Sequence, residues 1–282
     1  MRIPYVDADE VRRRLPVLDA VAALEEALRG GLDPEAEVPR AVVEVGGGQL
    51  LVMPSAAAPG PVVKLATVGG RPRVQGVCVA FDGETLAPKA LLDGVAVTNL
   101  RTPAVSALAV RHLAVPGARR LVVFGRGPQA HAHVEAMRAV RPIEHVEMLG
   151  REDRDRAGAA VAAADVVCCC TTAREPLFDG ADVPDHATVV AIGAHEPDAR
   201  EVDDVLAARA TVVVESLTSA LREAGDVVLA VRAGALGADE LVPLADLVRG
   251  ERAPALDGPR LFKSTGMAWQ DAVTVDAVLR RS

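Results

Sequence analysis

Leu121-Val122-Val123-Phe124 is a short apolar run that ends in Gly125-Arg126-Gly127-Pro128-Gln129-Ala130. A run this short, closed by two glycines and opening into helix-forming residues, reads as strand, tight turn and helix. A glycine at the strand end permits the turn. A second lets the backbone approach a pyrophosphate, and the helix N-terminus offers N–H groups to that anion. Gly125 and Gly127 take these two places, and Ala130 stands at the third position of G-x-G-x-x-G. Pro128 suits a first helical turn, where its missing N–H costs little. A glycine turn without a ligand fits the same residues, so the surrounding pattern has to decide.

That pattern alternates. From Arg119 onward, strands are expected near 120–124, 145–149, 165–169, 188–192, 210–214 and 260–263, with helices near 128–140, 154–163, 201–208 and 217–224. This is the rhythm of a doubly wound parallel sheet, a Rossmann-type α/β domain. Before it come a helix at 18–29, stopped by Gly30-Gly31, and β-like runs at 41–45, 49–53, 62–67, 74–81 and 88–92. Thr102 reads as a helix N-cap with Pro103 as the first helical residue, and Pro116-Gly117 as a linker. Residues 268–281 read as an amphipathic helix that returns to the first domain. The expected organisation is a mixed α+β domain for substrate binding and dimerisation, residues 1–115 and 267–282, and a dinucleotide-binding domain, residues 116–266.

Composition excludes several classes. A net charge of −8 argues against nucleic acid as the main partner. No stretch approaches the ~18 apolar residues of a membrane span, and the first residues have no apolar signal-peptide core. Cys168, Cys169 and Cys170 are consecutive on an expected strand, so their side chains alternate between faces and do not converge on one metal. They read as small core residues in a reducing compartment, which points to the cytoplasm.

The second parallel strand ends at Gly150-Arg151, where NAD-preferring sites usually carry a carboxylate for the ribose 2′-hydroxyl. Gly150 cannot do this, whereas Arg151 and Arg154 suit a 2′-phosphate, so the expectation leans to NADP(H) over NAD(H). Arg101, just before Thr102, suits an anion site. Lys64 interrupts the apolar run Pro61-Val62-Val63-Lys64-Leu65, and a cation there needs a partner; a substrate carboxylate would serve, as would a plain surface position.

Several segments together resemble the ornithine cyclodeaminase/mu-crystallin family. They are Met53-Pro54, Val63-Lys64, Gln75-Gly76, Ala90-Leu91-Leu92-Asp93-Gly94, Thr98 with Arg101-Thr102-Pro103-Ala104, Gly125 to Ala130, Ala191-Ile192-Gly193-Ala194, and Lys263-Ser264-Thr265-Gly266 followed by Gln270-Asp271. They cover nearly the whole chain in order. The resemblance implies a Rossmann domain plus a mixed-sheet domain that forms homodimers. It implies substrate-carboxylate binding by Arg40 and Lys64, and a substrate-pocket pair in Ser264 and Thr265. It also implies cofactor contacts at Arg101, Gly125, Gly127, Pro128, Gln129, Thr171, Ala191 and Ile192, the last two with Val190 beside the nicotinamide.

Departures narrow the activity. Cyclodeaminases carry an acid/base aspartate where this chain has His195, and a lysine four residues later where it has Ala199. The segment 67–74 is shorter than the family's usual loop. The resemblance therefore implies an NAD(P)H-dependent reductase or dehydrogenase of a small amino, imino or 2-oxo acid, with no metal. Lys64, His195 or a water handles the proton; His195 suits that task near neutral pH. Two alternatives stand beside it: a cyclodeaminase-type lyase that retains NAD, and a non-catalytic crystallin-like NADPH-binding protein.

Overall fold

A computed structural model describes residues 2–255 and 257–281. Met1 and Ser282, the ends of the expected first domain, and Leu256 within the expected second lie outside the described residues. The chain forms two compact units, residues 1–105 with 267–282 and residues 106–266. The division falls inside a helix rather than at the expected 115/116 position.

The first unit opens with β1 (Tyr5–Val6), α1 (Ala8–Arg14) and α2 (Val17–Arg29). There follow β2 (Ala41–Val45), β3 (Gly48–Ser55), β4 (Val62–Val68), β5 (Val74–Phe81) and β6 (Pro88–Asp93). They form a six-stranded mixed sheet in the order β1-β6-β5-β4-β3-β2. Strands β2 to β6 pair antiparallel in succession, and β1 joins β6 in parallel. Alternation fixes which side chains face inward: on β4, Val62, Lys64 and Ala66 are buried and Val63 and Leu65 less so. α2 buries Ala20, Val21, Leu24 and Leu28, one helical stripe.

The helix α3 (Gly94–Leu113) corrects the expected start at Thr102 and Pro103. It begins nine residues earlier, with Asp93 as the cap and Gly94 as the first helical residue, and Ala96 N donates to the Asp93 carboxylate at 2.8 Å. Pro103 therefore lies inside the helix, where a proline costs roughly 3 kcal/mol. Residues 101–110 are all buried, and that packing offsets the missing bond.

The second unit carries β7 (Arg120–Phe124), α4 (Pro128–Val140), β8 (His145–Leu149), α5 (Ala157–Ala162), β9 (Val166–Cys169), β10 (Thr188–Ala191), α6 (Asp204–Arg209), β11 (Thr211–Val214), α7 (Leu217–Glu223), α8 (Gly225–Arg232), β12 (Val242–Pro243), α9 (Leu244–Arg249) and β13 (Arg260–Lys263). The sheet is wholly parallel, in the order β12-β11-β13-β10-β9-β7-β8. β9 and β10 are buried along their whole length, as strands covered on both faces must be. Chain direction across the sheet reverses at β7, so the C-terminal ends of β7 and β9 form the topological switch point of a Rossmann-like fold.

α10 (Ala268–Leu279) belongs to the first unit. The expected amphipathic helix is instead buried on all sides from Ala268 to Val275. It packs against α2 as well as against β3, β4 and β5, which leaves its first two turns no solvent face.

Candidate active site

In the first unit the buried face of β4 delivers Lys64 into the protein interior, 3% exposed. Its strand neighbours are Met53 on β3 and Cys78 on β5. A buried ammonium needs a counter-charge. Asp271, in the first turn of α10, provides it: Lys64 Nζ lies 2.7 Å from Asp271 Oδ2 and 2.9 Å from Oδ1. Thr98 Oγ1 accepts a longer bond from the same ammonium at 3.4 Å. Arg101 shares the carboxylate, its Nε 3.1 Å from Asp271 Oδ1, while its Nη1 donates to Gln270 Oε1 at 3.1 Å.

Two cations thus share one buried anion. Burial lowers the Lys64 pKa, Asp271 opposes that shift and Arg101 adds to it. The Cys78 thiol is pushed up to about 12 by burial, so it remains a neutral neighbour. Arg40 stands half-buried just before β2.

Asp271 was not singled out as a site residue by sequence reasoning. Its signal was present: a lone carboxylate within Ala268-Trp269-Gln270-Asp271-Ala272-Val273 implies a buried partner. The structure brings Lys64 and Arg101 together on it.

In the second unit the Gly-rich turn follows β7. Gly125 has φ +110°, and a Cβ there would lie 2.5 Å from the Cys170 carbonyl oxygen, so the position requires glycine. Gly127 caps α4 without a side-chain bond to the helix N-terminus, and nothing lies within 4 Å of where its Cβ would be. Pro128 is the first helical residue and exposed, with Gln129 half-buried behind it. An uncapped helix of 13 residues behind an open glycine is a fitting cradle for a pyrophosphate.

At the end of β8, Arg151 and Arg154 are exposed. Two of the carboxylates nearby are engaged: Glu152 pairs with Arg126, and Asp153 Oδ2 accepts from Arg126 at 2.8 Å and from Gly150 N at 2.8 Å.

The remaining site residues lie on loops after the central strands. Thr171 follows β9 and gives its N–H and hydroxyl to Glu201 Oε1 at 2.9 and 2.7 Å. Ala191 ends β10, its carbonyl accepting from Ser264 N at 3.1 Å, and Ile192 N donates to Cys169 O at 3.1 Å. His195 is half-buried in the loop beyond, its Nδ1 3.5 Å from Gly193 O. Ser264 is buried and donates its hydroxyl to Glu215 Oε1 at 2.7 Å, while Thr265 is bonded through N to Glu215 Oε2 at 3.0 Å. Glu201 and Glu215, both buried, are residues that sequence reasoning did not single out; Glu215 carried one signal, its place directly after the apolar β11.

The fold and these residues define a two-unit α/β protein of the dinucleotide-binding class, with a buried cationic centre in its mixed-sheet unit. The chain belongs to the ornithine cyclodeaminase/mu-crystallin family, whose model matches residues 5–159 and 155–282. It is 33% identical to the ketimine reductase mu-crystallin of Rattus norvegicus, with 97% of this chain and 96% of that protein covered. It is 36% identical to a Δ1-pyrroline-2-carboxylate reductase of Colwellia psychrerythraea, with 71% of each covered. Among solved structures, the Thermococcus litoralis Δ1-pyrroline-2-carboxylate reductase in complex with NADH and L-proline superposes with a TM-score of 0.91. That match has 25% identity and covers 99% of this chain and 97% of that one.

Proposed function

We propose that the chain is an NAD(P)H-dependent oxidoreductase that reduces the C=N bond of a small imino acid, with cyclic imino acids of the pyrroline-2-carboxylate type as the leading substrates. The observation that carries this reading is the buried Lys64–Asp271–Arg101 cluster in the first unit. Relatives of similar length bear reductase names, which supports it further.

Arg40 and Lys64 bind the substrate carboxylate. Asp271 holds the Lys64 ammonium in one orientation, so little reorganisation is needed when an anion arrives. Lys64 also suits proton delivery to the substrate nitrogen, because burial lowers its pKa toward the working range of an acid. The dinucleotide supplies the hydride when bound. Gly125, Gly127 and the α4 N-terminus hold its pyrophosphate, and Thr171, Ala191 and Ile192 line its other end.

NADP(H) is the preferred form in this reading. Gly150 replaces the ribose-binding carboxylate, Arg126 occupies Glu152 and Asp153, and Arg151 and Arg154 remain exposed for a 2′-phosphate. The exposed edge strand β2, with Val42, Val43 and Val45 each more than two-fifths exposed, is the proposed homodimer surface. Among the described residues no helix is long and apolar enough to cross a membrane. Free cysteines, three of them within or beside the buried β9, fit the reducing cytoplasm as the proposed location.

The test is nicotinamide absorbance with NADPH or NADH while Δ1-pyrroline-2-carboxylate, larger cyclic imino acids, and pyruvate with ammonia are added in turn. Oxidation with an imino acid supports the reductase. Tight NADPH binding without oxidation by any of these moves the chain to the crystallin-like reading. Ammonia release from ornithine without net change in NADH moves it to the cyclodeaminase reading.

A further inference from the structure

The C-terminal edge of the parallel sheet in the second unit is stitched together by one carboxylate. Glu201 is fully buried and lies in the stretch before α6. Its Oε1 accepts from Thr171 N at 2.9 Å and from Thr171 Oγ1 at 2.7 Å, and its Oε2 accepts from Gly193 N at 2.7 Å. Thr171 follows β9, and Gly193 follows β10. The two loops meet so closely that a Cβ at Gly193 would overlap the Thr171 carbonyl and stand 2.5 Å from Glu201 Oε1. An amide puts an NH2 group in place of one of these oxygens, and a neutral acid turns one of them into an O–H donor, so either weakens a set of three donors that suits the ionised carboxylate.

We propose that Glu201 is a positioning residue for the dinucleotide: its carboxylate clamps the Thr171 loop to the Gly193 turn and holds both in the geometry that binds the nicotinamide end. The inference rests on the cofactor reading above and adds to it a residue that contacts no ligand.

The clamp is itself anchored. Asp226 on α8 accepts from Glu201 N at 2.6 Å and from Val202 N at 2.9 Å. Lys263, at the end of β13, pairs with Asp226 Oδ2 at 2.7 Å and donates to Ala194 O at 2.6 Å. The titratable groups around Glu201 are therefore Asp226, Lys263, Cys169 and Cys170. Burial raises the Glu201 pKa to about 7, with Lys263 opposing and Asp226 adding to the shift. The thiols of Cys169 and Cys170 are pushed up by burial, so they stay neutral through this range. The clamp then tightens as pH rises through neutrality and loosens below it.

The experiment compares wild-type chain with E201Q, E201D and T171V. Hydrogen exchange without cofactor reads the clamp directly, and NADPH and NADH fluorescence titrations from pH 6 to pH 8.5 read its consequence. E201Q is expected to lose about tenfold in amide protection around Thr171 and Gly193, with β7 amides unchanged, and about tenfold in nucleotide affinity at pH 8, equivalent to 1.4 kcal/mol. Wild-type affinity falls towards the E201Q value at pH 6, whereas E201Q is flat with pH. E201D recovers part of the loss, and T171V combined with E201Q is no worse than E201Q alone. Once substrate is known, KM for the nucleotide rises more than kcat falls.

Wild-type affinity independent of pH, or E201Q binding nucleotide as tightly as wild type, overturns the proposal. If E201Q does not fold, the wild-type pH titration still decides. Wild-type chain that binds neither nucleotide overturns the cofactor reading and this role with it, whatever the exchange data show.

Discussion

Lys64 and Asp271 are 207 residues apart in the chain, yet their charged atoms lie 2.7 Å apart with both side chains almost wholly buried. Neither charge is tolerable there alone. The pair fixes the register of α10 against β4, and Arg101, on the same carboxylate, adds α3 to the arrangement.

Replacing Asp271 by Asn leaves two buried cations without their anion. The D271N chain should lose about 3–5 kcal/mol of stability, read by denaturant unfolding. The triple variant K64M/R101M/D271L should recover much of it, because apolar side chains of similar size restore packing and leave no unpaired charge on the cluster. A D271N chain as stable as wild type would show that the cluster is not desolvated.

Replacing Lys64 by Ala should lower kcat/KM for an imino acid by about 10² to 10⁴, the usual range for a lost acid–base group. NADPH affinity should stay within about twofold, since the dinucleotide is assigned to the other unit. The wild-type rate should fall on the alkaline side at a pH below the ordinary lysine value of 10.5, because the buried ammonium loses its proton early. Persistent turnover in K64A would remove Lys64 from the mechanism.

Arg151 gives a test of nucleotide choice. A charge-assisted bond contributes about 1.5–3 kcal/mol, so R151A should weaken NADPH binding by roughly tenfold to a hundredfold and leave NADH nearly untouched. Equal losses for both nucleotides would mean that Arg151 does not meet a 2′-phosphate.

His133 on α4 is buried and neutral, its Nδ1 donating to Gln129 O at 2.8 Å and its Nε2 accepting from Ser106 Oγ at 2.9 Å. Burial lowers its pKa from 6.5 to about 4. The unfolded chain then binds the proton more readily, so the contribution is fully present above pH 6.5 and is lost as pH falls towards 4. The loss should be roughly 3 kcal/mol in full. Unfolding midpoints of wild type and H133L across this range check it: the H133L slope should be shallower.

The β2 edge predicts an assembly. V43D should turn a wild-type dimer into a monomer in sedimentation experiments without changing the folded monomer, since Val43 is 47% exposed. A monomeric wild-type chain would remove the homodimer proposal.

Much of this architecture was legible in the residue order. The strands at 41–45, 74–81, 120–124, 145–149 and 260–263 coincide with the runs that composition and period mark out, because each is a short run carrying β-branched, aromatic or other apolar residues between turn residues. Gly125 and Gly127 were legible for the same local reason: a turn that needs positive φ or an open backbone writes itself as glycine. Local signals misled where packing overrode them. Pro103 reads as a helix start because proline favours the first turn, but burial of residues 101–110 carries α3 straight through it. α10 reads as amphipathic, but the sheet and α2 cover its faces.

The sequence by itself determined the parallel sheet, its glycine turn before α4 and the presence of an unusual lysine in an apolar strand, all of them properties of a few adjacent residues. Only the tertiary structure decided what Lys64 faces, that Arg101 shares its anion, and that Glu201 ties the loops after β9 and β10. Those relationships join residues 8 to 207 positions apart, and no local pattern encodes the partner of a buried charge. The chain has to fold before the low dielectric around such a group makes one particular partner obligatory.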